Sequence, residues 1–263
     1  KHIVLHIFSG PNQSYWEKQC STNNVEVLCV DTNSSVPASL LNKDVFAYLL
    51  ALCASGRVRS IIGGPPCRTI SALRYQGDDG PGALRTDEHP YGLPTLAPRE
   101  HEMVLDDVTL MFRFLALYIL AEDIRDGAAD PTQLALEQPE DPARYRDAED
   151  VKAKGYFSFF RTQEWKDFEA RYHIRQIHMD QHPMGHKKRK PTTIATNIAE
   201  LFQLDELRGG PSDEARTNEI FRATPVQQRI QESKTWSAWA EGLKAAIATA
   251  LTRHLQRLEG EGQ

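Results

Sequence analysis

The chain has 263 residues, 40% of them hydrophobic, and its formal net charge is −5 at pH 7. This length suits one large α/β domain with a sizeable core, and the acidic balance excludes a nucleic-acid binder whose whole surface is basic. The longest apolar stretch, residues 108–121, contains Arg113 and is shorter than the roughly 20 residues of a membrane span. The four cysteines lack CxxC spacing, so we expect free thiols in a reducing, intracellular compartment.

Hydrophobic periodicity predicts that strands and helices alternate along the chain. Strands are predicted over residues 2–8, 25–30, 60–62, 133–137, 173–180 and 192–196. Helices are predicted over residues 15–20, 44–54, 100–121, 162–172 and 236–258. This alternation predicts an α/β fold with a Rossmann-like, doubly wound and mostly parallel sheet.

Two segments interrupt the pattern and suggest the domain organisation. Residues 71–99 are rich in Gly, Pro, Asp and Arg, and a loop of this length is usually functional, so we predict a mobile flap. We expect a core over 1–202, a polar linker or short recognition segment over 203–233, and a C-terminal helix within 234–263 that packs back on the core. The start at Lys1, without a signal-like segment, suggests a domain of a longer parent protein.

Residues suited to ligand binding or catalysis follow the predicted strands. The first four strands are followed or ended by Phe8-Ser9-Gly10, Asp31, Cys67 and Glu137. Open α/β sheets bind ligands at the carboxyl ends of their strands, and a first turn with a carboxylate after the second strand can hold a nucleoside. Each residue alone has a plainer interpretation as a turn, a helix cap or a solvated carboxylate.

Cys67 differs from the other cysteines because it follows two glycines and two prolines. The glycines allow close approach to a ligand and the prolines stiffen the backbone, so this turn is expected to present the thiol. Cys29 and Cys53 lie in apolar runs that suit buried, inert thiols. A nucleophilic cysteine needs thiolate character, and we expect Arg68 and Arg74 to supply the positive field.

Taken together, these motifs resemble those of the cytosine-C5 DNA methyltransferases. The run Gly-Pro-Pro-Cys67-Arg-Thr-Ile-Ser71 resembles the family's catalytic Pro-Cys motif, and Leu5 to Gly10 resembles its first, S-adenosylmethionine-binding motif. Glu137-Gln138-Pro139 resembles the motif whose Glu engages the target cytosine. Order and spacing agree over residues 1–197, and residues 84–94 are similar to a divergent branch found in protist genomes and mobile elements.

The resemblance implies the class I methyltransferase fold with a reduced target-recognition region. It also implies S-adenosylmethionine as cofactor and S-adenosylhomocysteine as product, with Asp31 at the ribose and Asp44 at the adenine. The residues expected to line the cofactor site are Phe8, Ser9, Gly10, Asp31, Thr32, Asp44, Val45 and Pro65.

The implied chemistry begins with addition of the Cys67 thiolate to C6 of a cytosine that is flipped out of duplex DNA. Glu137, kept partly protonated by burial, would protonate or hydrogen-bond N3. The methyl group is then transferred to C5, and the C5 proton is removed before Cys67 leaves. Such an enzyme would act in the nucleus if its source is eukaryotic.

Cations in the flap and in residues 186–190 are expected to contact phosphates, although a solvated surface run is the alternative for 186–190. The family's Gln-x-Arg-x-Arg motif, which supports the active site, is matched only loosely by Gln181 and this run. The residues expected to contact nucleic acid are Arg68, Ser71, Arg74, Arg85, Gln181, Lys187, Lys188 and Arg189. His178, His182 and His186 are spaced by four, but Pro183 and Gly185 break the helix that would align them, so no metal is expected.

The sequence also departs from the family pattern. Pro11-Asn12 stands where the first motif usually has a second glycine, and Gln138 replaces the usual Asn. These departures leave a catalytically silent nucleic-acid-binding or scaffold module as an alternative. The short target region leaves RNA, for example tRNA, as an alternative substrate.

Overall fold

The computed structural model describes residues 1–10, 13–20, 25–33, 37–75, 82–125, 128, 130–208 and 238–260. These residues form the strands β1 (His2–Ile7), β2 (Val25–Val30), β3 (Val58–Gly63), β4 (Gln133–Pro139), β5 (Arg175–Asp180) and β6 (Pro191–Thr196). They also form the helices α1 (Gln13–Cys20), α2 (Lys43–Ala54), α3 (Pro98–Asp123), α4 (Ala148–Lys154), α5 (Gln163–Tyr172) and α6 (Glu241–Gly260). Every predicted strand has a counterpart whose bounds differ by at most a few residues.

The strands form one sheet in the order β2-β1-β3-β4-β6-β5. Neighbouring strands from β2 to β4 pair in parallel, whereas β6 is antiparallel to both β4 and β5. The segment between β5 and β6 is too short for the helical crossover that a parallel pair requires, so the chain reverses direction there. The expectation of a mostly parallel, Rossmann-like α/β sheet is therefore confirmed at this level.

Helices cover both faces of the sheet and enclose two cores. Successive side chains of a strand point to opposite faces, so Leu5 of β1 lies in the core that includes residues of α2, α3 and α5. Val4 lies in the other core, with Trp16 of α1 and Leu243 of α6. This two-sided burial explains why the inner strands are nearly continuous apolar runs.

Two local features differ from the expectations. Helix α4 is absent from the predicted elements, although Asp147 caps its first turn and Gly155 ends it in the left-handed region at φ 57°. Part of the expected flap is packed: Tyr75 Oη donates to the Arg85 carbonyl at 2.7 Å and Leu84 is buried, whereas residues 87–89 and 97–99 are exposed. Residues 76–81 lie outside the described residues, as do 209–237, which include Trp236 and most of the segment 203–233. No helix in the described ranges is both long and apolar enough for a membrane crossing.

Candidate active site

Glu137 lies near the carboxyl end of β4 and is 7% exposed. Its Oε1 accepts a hydrogen bond from Gln181 Nε2 at 3.2 Å and forms an ion pair with Lys190 Nζ, also at 3.2 Å. Gln181 directly follows β5 and Lys190 directly precedes β6, so the reversal between these two strands brings both side chains to the carboxylate. Two polar side chains therefore surround Oε1 of this buried carboxylate.

The turn that carries Cys67 lies against Glu137. A Cβ added at Gly64 would be 2.9 Å from Glu137 Oε2 and 3.2 Å from Trp239 Nε1, so only glycine allows this close approach. Gln138 is buried and its Nε2 donates to the Pro65 carbonyl at 2.7 Å. The Gln138 side chain therefore ties β4 to the cysteine turn.

Cys67 is half-buried, and its electrostatic surroundings differ from the expectation. Burial and the nearby Glu137 carboxylate raise the pKa of Cys67 to about 11, whereas Lys190 lowers it. Arg68 pairs with Asp107 at 2.9 Å, and Arg74 donates to the carbonyls of Gly82 and Arg68. Arg68 and Arg74 were expected to favour the thiolate, but their guanidinium groups bind these other partners. Lys190 is the cation that lowers the pKa of Cys67.

Asp107 of α3 anchors the residues that follow Cys67. Its carboxylate accepts from Arg68 Nε at 2.9 Å and from Thr69 Oγ1 at 2.8 Å, while Ser71 N–H donates to the Cys67 carbonyl. Asp107 is buried, and burial raises its pKa. Asp107 is absent from the predicted site residues, although a carboxylate on the apolar face of a helix is a sequence signal of such a role.

The cofactor residues expected at the ends of β1 and β2 form a second group. Phe8 has a φ of 62°, which is strained for a residue with a side chain, and Gly10 follows at φ 70°. Asp31 Oδ2 accepts from the Gly10 N–H at 3.0 Å, and its Oδ1 accepts from the Asn33 N–H at 2.6 Å. The structure thus brings the Phe8-Ser9-Gly10 turn and Asp31 together, while Pro11-Asn12 lies outside the described residues.

The other residues expected to line the cofactor site are less enclosed. Thr32 is exposed, and Asp44 is exposed in the first turn of α2, where Asn42 caps the helix. Val45 is half-buried against the first core. The two groups meet because β1 pairs with β3: Gly63 lies opposite Ile7, and an added Cβ there would collide with the Ile7 carbonyl oxygen.

Two of the expected nucleic-acid contacts require correction. Arg85 is 4% exposed, donates to the Val104 carbonyl and lies 5.6 Å above the Phe157 ring, so its guanidinium faces the protein interior. Burial lowers its pKa to about 10. Arg189 pairs with the buried Asp180 at 2.9 Å rather than extending outward. Of the same run, Lys187 is exposed and Lys188 is half-buried.

Comparison with known proteins adds no assignment to this geometry. The chain matches no protein-family model and no curated protein. Within the described ranges, no group of three or more His, Cys, Asp or Glu side chains is arranged to hold a metal ion. The site therefore has to be interpreted from its own residues, which are chiefly Cys67, Glu137, Gln181 and Lys190.

Proposed function

We propose that the protein is a DNA cytosine-C5 methyltransferase in which Cys67 is the nucleophile and S-adenosylmethionine is the methyl donor. One observation carries the proposal: a thiol after β3, a carboxylate at the end of β4 and an ammonium group before β6 converge on one site, with Lys190 Nζ 3.2 Å from Glu137 Oε1. Cytosine C5 is too weak a nucleophile to accept a methyl group directly. This combination of side chains suits the covalent activation that the ring requires.

The first step is addition of Cys67 to the ring. The sulfur forms a bond to C6 while the thiol proton leaves to solvent, and the electrons of the C5–C6 double bond shift towards C4 and N3. Glu137 protonates N3 or hydrogen-bonds to it. Lys190 offsets the effect of Glu137 by lowering the pKa of Cys67, and its charge stabilises electron density that builds up during the addition.

The remaining steps return the enzyme to its starting state. The ring that carries the Cys67 adduct is nucleophilic at C5 and takes up the methyl group there. A water molecule accepts the C5 proton, N3 returns its proton to Glu137, and the C5–C6 double bond re-forms as the bond from sulfur to C6 breaks, which releases Cys67 as the thiolate. A base stacked in a duplex cannot reach the thiol, so the target cytosine is flipped out before the first step.

The ends of β1 and β2 fit the methyl donor. An added Cβ at Gly10 would meet no atom of the described residues within 4 Å, so that part of the chain leaves space beside this turn. Asp31 ends β2 next to it and presents a carboxylate where open α/β sheets hold ribose hydroxyls. When bound, S-adenosylmethionine supplies an electrophilic methyl group; the protein's part is to hold the donor beside the cysteine turn.

The test of this function is transfer of a radiolabelled methyl group from S-adenosylmethionine to duplex DNA, with Cys67→Ser as the matched control. We expect label at cytosine C5 with the wild type and none with the variant. Parallel reactions with structured RNA separate the two nucleic-acid substrates. Label in RNA alone would show that RNA, and not DNA, is the substrate. The absence of transfer to either, with no binding of S-adenosylmethionine, would favour the silent module.

A further inference from the structure

The segment that leads into α6 contacts the groups that hold Glu137. The Ala240 N–H donates to Gln181 Oε1 at 2.8 Å, and Gln181 Nε2 donates to Glu137 Oε1. Lys190 Nζ donates to the Ala238 carbonyl at 3.4 Å as well as pairing with Glu137. Both side chains that bind the carboxylate therefore also bind the backbone of this segment.

Trp239 lies between Ala238 and Ala240 in the chain, and its side chain is close to the cysteine turn. Its ring stacks on His6 of β1 with the centroids 5.5 Å apart, and its Nε1 would be 3.2 Å from a Cβ added at Gly64. Burial, with a smaller contribution from Lys244, lowers the pKa of His6 to about 3, so Trp239 packs on a neutral imidazole. The indole is thus fixed beside both Gly64 and Glu137.

The first turn of α6 fits closely against the loop that begins at Gln181. An added Cβ at Gly242 would be 2.8 Å from the Met184 carbonyl oxygen, and the Met184 N–H donates to the Gln181 carbonyl. A larger residue at Gly242 would therefore push α6 away from this loop. We therefore expect a displacement of α6 to move the Gln181 side chain as well.

We infer that residues Ala238 to Gly242 are a positioning element of the active site, which sets the orientation of the Glu137 carboxylate through Gln181 and Lys190. This inference rests on the proposed function for the meaning of Glu137. None of the residues 238–242 needs to touch the reacting atoms. Displacement of the segment would shift the Glu137 carboxylate through the Gln181 and Lys190 side chains, and errors of about 1 Å in such positions cost on the order of 100-fold in rate.

The experiment compares Gly242→Ala, which wedges α6 away from Met184, with Gln181→Met, which removes the side-chain link. Alanine has the higher helix propensity, so Gly242→Ala does not weaken α6 itself. Thr249→Ala, at an exposed position of the same helix, is the control. We expect kcat to fall by about 10- to 100-fold in both variants, with an altered pH–rate profile and an unchanged dissociation constant for S-adenosylmethionine. Thr249→Ala should match the wild type.

A second measurement does not depend on activity. In protein labelled with ¹³C at the glutamate carboxyl groups, the Glu137 resonance is assigned by its loss in Glu137→Gln and then compared among the variants. We expect it to shift in Gly242→Ala and to stay in place in Thr249→Ala. An unshifted resonance, or wild-type kcat in Gly242→Ala and Gln181→Met, would overturn the inference while methyl transfer by the wild type upholds the function. A shifted resonance in a protein without methyl transfer would uphold the link and overturn the function.

Discussion

The two halves of the proposed site are built to different degrees. Around Glu137, two side chains, Gln181 and Lys190, contact the carboxylate, and the Gln138 side chain holds the cysteine turn through the Pro65 carbonyl. At the ends of β1 and β2, Asp31 binds backbone N–H groups of Gly10 and Asn33. Thr32 and Asp44 beside this region are exposed.

This difference indicates which half of the proposed site holds its side chains more precisely. Groups that react must be held within a fraction of an ångström, and a network of buried side chains provides that precision. A turn with a strained Phe8 and an open space at Gly10 instead provides shape for a bound molecule. Substitutions in the Glu137 half should therefore lower the rate of chemistry, and substitutions in the Asp31 half should lower affinity.

Among substitutions that leave the nucleophile intact, the largest effect is expected for Glu137→Gln. Glutamine keeps the size of the side chain and an acceptor oxygen but provides no acid, so kcat for methyl transfer should fall by about 10²- to 10⁴-fold. Single-turnover transfer of labelled methyl groups measures this rate, and a titration should show unchanged affinity for S-adenosylmethionine. A variant with undiminished kcat would remove Glu137 from the chemistry and erase the contrast between the halves.

Lys190→Met tests the electrostatic part of the same half. Lys190 lowers the pKa of Cys67, which burial and Glu137 raise to about 11, so its removal should raise that pKa further. The thiolate is the reactive form, and its fraction below the pKa falls about tenfold for each unit by which the pKa rises. The rising limb of the pH–rate profile should therefore move to higher pH. A profile that stays in place, or moves to lower pH, would contradict this role.

Asp31→Ala tests the other half. Loss of the carboxylate should weaken S-adenosylmethionine binding by about 1–3 kcal/mol, because ribose hydroxyls would lose a buried partner. At saturating cofactor, kcat should stay near that of the wild type. Asn33→Ala is the control, since the exposed Asn33 bonds Asp31 through its backbone N–H. Isothermal titration that finds equal affinity for Asp31→Ala and the wild type would refute the assignment.

The smallest effect concerns DNA binding outside both halves. With Arg85 and Arg189 turned inward, Lys187 and Lys188 are the remaining cations of the predicted set in the loop that joins Gln181 to Lys190. Neutralising both to Gln should reduce the log–log salt slope of duplex binding by about 2, at roughly 0.9 per phosphate. Lys166→Gln on α5 should leave the slope unchanged. An unaltered slope in the double variant would make residues 187 and 188 a solvated run.

The sequence predicts the parts of this arrangement that depend on local pattern. Strand ends place Cys67, Glu137 and Asp31 at one edge of the sheet, as the apolar runs before them indicate. The inward orientation of Lys190 cannot be predicted from the sequence. A run of cations has the same local sequence pattern whether it lies on the surface or beside a buried carboxylate. Its direction depends on the reversal between β5 and β6, which pairs residues distant from β4 in the chain.

Arg85 is a second residue whose orientation cannot be predicted from the local sequence pattern. A segment rich in Gly, Pro, Asp and Arg predicts a mobile flap, yet the Arg85 guanidinium packs over Phe157, which is far along the chain. Helix α4 could have been predicted, since Asp147 and Gly155 provide both cap signals. Contacts between distant segments, rather than local propensity, account for the expectations that required correction.

The central claim is that Cys67 forms a covalent bond with the target base. Duplex DNA with 5-fluorocytosine blocks the final proton loss, so incubation with the protein and S-adenosylmethionine should trap a covalent complex stable to denaturation. Peptide mapping should locate the bond at Cys67, and Cys67→Ala should form no adduct while Cys29→Ala, which lacks a different thiol, should form it normally. An adduct that persists in Cys67→Ala would contradict the account.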